Sequence, residues 1–172
     1  MAQTGAASRP AGWWALGLTR IVTGYMWYTQ TLWKQPPNWG GPGGLRYWVE
    51  LSGQYADPWY RSFVNGVVLP HFELFAPTVW LTETVIAVSL VFGIFGRLGG
   101  ALCFAMGINL YLANGRLPNE WPWTYAFIIL LGAIFGATRA GRYLGVDQLL
   151  VPRLERFAAS SPRLGKLLLL LT

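Results

Sequence analysis

A chain of 172 residues with 53% hydrophobic and only 12% charged side chains has too little polar surface to clothe a soluble globule of this size, and its length allows one small bundle. The 13 Lys and Arg outnumber the 7 acids, but they sort by loop instead of clustering, which points to membrane topology and away from a nucleic-acid partner.

In chain order, four apolar stretches run from Ala11 to Trp33, Phe75 to Phe95, Leu98 to Asn114 and Trp121 to Thr138. Each is near the roughly 20 residues that cross ~30 Å of hydrocarbon as a helix. The expectation is an all-α, four-span integral membrane bundle over residues 1–144, with a helical outer cap at 34–74 and an amphipathic cytoplasmic tail at 145–172. The first stretch is too long for a signal-peptide core and is expected to stay as a signal anchor. In this arrangement Arg9, Arg97, Arg139, Arg142, Arg153, Arg156, Arg163 and Lys166 fall on one side, and Lys34, Arg46, Arg61 and Arg116 on the other. The positive-inside tendency then puts both termini in the cytoplasm. Trp33, Trp39, Tyr47, Trp48, Trp59, Tyr60, Trp121 and Trp123 gather on the outer side as an interfacial belt.

The outer connection opens with a breaker run, Pro36, Pro37, Gly40, Gly41, Pro42, Gly43 and Gly44. Leu45, Trp48, Val49 and Ser52 then recur at helical spacing. A second short helix is expected from Asp57 as N-cap and Pro58 at the first helical position, ending at Pro70. Gly96 and Arg97 form a tight hairpin between the second and third spans. Ala101 with Ala105, and Gly132 with Gly136, have the fourfold spacing that lets helices approach closely in lipid. Cys103 and His71 are each the only residue of their kind, so the chain offers no disulfide, metal site or bis-histidine haem site of its own.

Two ionisable side chains of opposite sign lie inside the spans, Arg20 and Glu83. Charges inside a membrane usually face the bundle interior and pair. Two readings stay open: a structural tie between helices, or a pair lining a cavity where Glu83 takes a proton and Arg20 orients a carbonyl or an anion. Arg20, Thr23, Trp27, Gln30 and Lys34 repeat at steps of three and four and share one face of the first helix. Asn109 in the third span falls at a similar depth. A quinone head group needs polar contacts at its two oxygens and aromatic walls, which Trp27, Tyr25 and Trp80 are placed to supply. Lys34, Arg46, Arg61 and His71 form either a solvated rim or a site for a small oxyanion.

Arg20 with Gly24, "QTLWK" at the outer end of the first helix, "LTE" followed by "LVFGIFGRLGG", and "EWPWTY" leading to "AGRYLGVD" are the motifs that carry a family likeness. Over about residues 15 to 147 the chain resembles the DoxX-like membrane proteins, and among them the DoxD-type small subunit of thiosulfate:quinone oxidoreductase. The resemblance implies a four-helix bundle in a prokaryotic plasma membrane, working in a complex that oxidises thiosulfate and passes electrons to quinone. Other membrane subunits, or further copies of the chain, are the expected partners. The competing readings are a non-catalytic accessory subunit of a larger respiratory or photosynthetic complex and, behind it, a small-solute carrier.

Overall fold

The computed structural model describes residues 12–36, 39 and 41–172; Arg9, Ala11, Pro37 and Gly40 lie outside the described residues. Among these the chain forms eight α-helices and no strand. Helix α1 runs over Trp13–Trp33, α2 over Leu45–Tyr55 and α3 over Pro58–Phe63, which continues as a π-helical turn over Val64–Val68. Helix α4 covers Phe72–Phe92, α5 Gly96–Asn114 and α6 Pro122–Thr138. A single 3-10 turn at Ala140–Arg142 leads to α7 at Asp147–Ser160 and α8 at Pro162–Leu171.

Only α4 is both long and apolar enough to cross a membrane on its own composition, and α6 is apolar but shorter. The polar stripe of α1 and the glycines and Asn109 of α5 dilute their hydropathy. Helix α4 begins three residues before the apolar stretch read from the sequence, because Pro70 ends the previous helix and Glu73 fits comfortably in a first turn. It also ends three residues earlier. Gly93 (φ 64°) and Phe95 (φ 51°) adopt left-handed conformations, so the hairpin turns there and not at Gly96 and Arg97, which already belong to α5. Pro58 takes the first position of α3 as expected, but the Asp57 carboxylate does not cap it; that group binds Arg116 at 2.8 Å.

Helices α1 and α4 pack antiparallel, α4 lies on α5, and α5 lies along α6. The core is Trp27, Ile86, Ala87, Leu90, Cys103, Phe135 and Ala140. At the α5–α6 contact the backbones nearly touch: a Cβ on Gly100 would fall 2.4 Å from the Gly136 amide nitrogen, and one on Gly132 would fall 2.4 Å from that of Phe104. Ala101 and Ala105 are exposed, so the close-packed row of α5 is Gly96, Gly100, Cys103 and Gly107, not the alanines. The sequence spacing picks out rows one residue apart equally well, and only the packing chooses between them.

Large apolar side chains point outward on all four long helices, among them Leu18, Val22 and Met26 of α1, Leu81, Val85 and Phe92 of α4, Phe104 and Ile108 of α5, and Phe127 and Leu130 of α6. The buried face of α1 is instead Gly17, Arg20, Thr23, Gly24, Trp27 and Thr31. The cap formed by α2, α3 and the π-helical turn sits on this frame through two small clusters, Leu45 with Phe72 and Ala76, and Ala56 with Tyr60 and Val64.

Candidate functional site

Helix polarity decides which charges meet. Every Cα–Cβ bond leans toward its helix's N-terminus. Lys34, at the end of α1, therefore leans back into the bundle, while Glu83 on antiparallel α4 leans out toward it. Lys34 Nζ lies 2.5 Å from Glu83 Oε1, with the two side chains only 7% and 1% exposed. Glu83 Oε2 is buried with no hydrogen-bond partner, and so is the indole N–H of Trp80, one turn earlier on α4. Aromatic rings surround the lysine. The Trp39 indole N–H donates to the Lys34 carbonyl at 2.5 Å, and the Trp33 ring centre lies 4.7 Å from the ammonium. On the same face of α1, the Trp27 N–H donates to Cys103 Sγ at 3.3 Å.

Arg20 does not pair with Glu83. The same lean carries it away from Glu83, toward the end of α4, where helix carbonyls lack intrahelical partners. Its Nη1 donates to the carbonyls of Leu90 and, at 3.3 Å, Val91; its Nη2 donates to those of Tyr143 and Leu144 at 3.3 and 3.1 Å. Fully buried, it is the tie between α1, the end of α4 and the segment after α6. Gly93 makes room for it, since a Cβ there would fall 2.8 Å from Nη1. Beside it the Asp147 carboxylate accepts the amide N–H groups of Phe95 and Gly96 at 2.8 and 2.7 Å, capping α5 from a distant part of the chain. Burial pushes the Asp147 carboxyl above the usual carboxylate range against the pull of these amides and of Arg142 and Arg20.

The remaining residues singled out from the sequence disperse. Tyr25 is exposed on the outside of α1 and walls nothing. Asn109 accepts the Tyr60 hydroxyl at 2.8 Å under the cap, away from Glu83; burial raises the Tyr60 phenol above its ordinary value and keeps it a donor. The expected rim of Lys34, Arg46, Arg61 and His71 does not gather. Lys34 is buried; Arg46 pairs with Glu50 at 2.9 Å in the open. Arg61 donates to the carbonyls of Gly53, Gln54 and Ala56, closing the end of α2. His71 turns its Nδ1–H to the Val67 carbonyl at 2.9 Å. Among the described residues no group of three His, Cys, Asp or Glu side chains could hold a metal ion.

Sequence reasoning missed Lys34 as the partner of Glu83 and Asp147 as a cap. The first had a signal: Lys34 already stood on the polar row of α1, although Gln30 of that row is exposed and Thr31, outside it, is buried in its place. The second had none beyond its place in "AGRYLGVD". No family model, curated protein or solved structure matches the chain.

Proposed function

We propose that the protein is a DoxX-like, four-span membrane redox subunit in which the Lys34–Glu83 pair holds the head group of a quinone. The outward apolar side chains of α1, α4, α5 and α6, with Arg20 and Glu83 turned into the bundle, support the membrane placement. So do helix lengths of 17 to 21 residues, about 25–31 Å at ~1.5 Å per residue. The loop charges favour cytoplasmic termini.

The observation that carries the quinone reading is the pair of unsatisfied atoms, Glu83 Oε2 and the Trp80 indole N–H. Such groups are rare in buried positions, and here one accepts and the other donates. The donor suits a quinone carbonyl and the acceptor suits a quinol hydroxyl. Quinone, when bound, supplies two-electron, two-proton carriage. Glu83 takes up or returns the proton at Oε2, and Lys34 holds the other carboxylate oxygen, Oε1, through the ion pair. Arg20 has no part in this; its role is to tie helices together. The outer cap gathers no oxyanion site, so the reductant is placed on a partner subunit.

A second reading, a non-catalytic accessory subunit of a larger membrane complex, is favoured by the closure of the same site: the Lys34 and Glu83 side chains are 7% and 1% exposed. A quinone analogue separates the two. At a hundredfold excess over its Kd it should stabilise the wild-type protein in lipid by about 2.7 kcal/mol. Glu83→Gln and Trp80→Phe should each lose that shift. No shift in the wild type, with partner subunits present, would leave the accessory reading.

A further inference from the structure

Where α6 ends, a cavity of about 420 Å³ opens between the 3-10 turn and the α7–α8 hairpin, lined by Arg139, Arg142, Glu155, Lys166, Leu169 and Leu170. Three cations face one carboxylate there. None of the three ion pairs among the described residues uses Arg139, Arg142 or Lys166. The Arg142 Nε is buried and has no hydrogen-bond partner. Burial first, and then Arg139 close by, lower the Arg142 guanidinium below its ordinary value, against the opposing pull of Glu155 and Asp147. The other wall is apolar, and exposed Leu164, Leu167 and Leu170 continue it along α8.

We propose that this cavity seats the phosphate of an anionic phospholipid, with its cations on the phosphate and its leucines along the acyl chains. Free phosphate would use only the cationic wall; an amphiphile uses both. The inference rests on the membrane placement proposed above and not on quinone binding. In that placement, Arg139 directly follows the end of a span, at the depth where lipid phosphates lie.

The test titrates the purified protein in detergent with phosphatidylglycerol, phosphatidylcholine or inorganic phosphate and follows binding by native mass spectrometry and melting. The expected result is saturable binding of phosphatidylglycerol and not of phosphatidylcholine. At about fivefold in affinity per surface cation, Arg139→Gln with Lys166→Gln should weaken binding about 30-fold. Both residues are exposed, so the fold is kept. Glu155→Gln should tighten binding about fivefold, a gain that misfolding cannot mimic. Equal binding of phosphatidylcholine, unchanged affinity in the double variant, or stabilisation by inorganic phosphate matching that by the lipid would each overturn the proposal. Release of the protein from membranes by alkaline carbonate would show separately that the membrane placement is wrong.

Discussion

Removing either member of the Lys34–Glu83 pair strands the other in a nearly closed environment, and the size of the loss can be bounded. In Lys34→Met, Glu83 at 1% exposure can at worst take up a proton. A free glutamate titrates near 4.3, so neutralising it at pH 7 costs about 2.7 units at about 1.4 kcal/mol each, a ceiling of about 3.7 kcal/mol. In Glu83→Gln, the stranded ammonium, titrating near 10.4 when free, has a ceiling of about 4.6 kcal/mol. The long lysine stem can swing toward the outer interface, so about 2–4 kcal/mol is expected. The double variant strands nothing and should lose less than the two single losses together, by about 3 kcal/mol. Denaturation by SDS in bicelles, followed by circular dichroism, measures the cycle. The Lys34→Met loss should shrink to about 1 kcal/mol at pH 5, because proton uptake is then nearly free. Additivity within about 0.5 kcal/mol, or a Lys34→Met loss indifferent to pH, would refute the reasoning. Arg20→Met combined with Glu83→Gln should be additive, since those residues share no partner.

Arg20→Lys should destabilise the protein by about 2–4 kcal/mol despite keeping the charge, because an ammonium cannot reproduce a planar fork serving four carbonyls; chemical denaturation in the same bicelles checks it. Gly132→Ala should disrupt the α5–α6 contact, while Gly136→Ala, whose Cβ meets nothing nearer than 3.7 Å, should be tolerated within about 0.5 kcal/mol; paired melts decide this. Tyr60, its phenol raised by burial, should remain protonated in an ultraviolet titration after exposed tyrosines have ionised. Its contribution to stability is then complete below the free value of about 10 and lost as pH rises through the higher folded value, and Tyr60→Phe should remove that dependence.

What the sequence made legible depended on whether the physics was local. The helices over Trp13–Trp33 and Pro122–Thr138 follow from runs of apolar residues, and α3 from Asp57 and Pro58 at its start. The end of α4 did not follow, because Phe95 in a left-handed conformation is a state that local preference disfavours and the Asp147 cap enforces. The polar row of α1 was visible from its spacing. The partner of each charge on it was not, because depth along a helix says where a backbone is, while the shared lean of Cβ carries Lys34 toward Glu83 and Arg20 away from it. The oxyanion rim does not gather for another reason: Lys34 and Arg46 each bind a different carboxylate, and Arg61 and His71 bind backbone carbonyls.

The bonds from Arg20 to the carbonyls of Tyr143 and Leu144 join the first helix to a segment made long afterwards. At about 5–20 residues per second, the intervening chain takes on the order of 6 to 25 s to synthesise. Until Leu90 and Val91 are made the arginine lacks all four of its final acceptors, and from then until Leu144 it lacks half of them, while α5, once made, waits for the Asp147 cap on its first turn. The nascent chain therefore carries a timer: the packing of α1 stays incomplete until synthesis has passed Leu144. A chain cut short before Tyr143 would leave that guanidinium unfinished, so the same few bonds that tie the helices together also report that synthesis has passed Leu144.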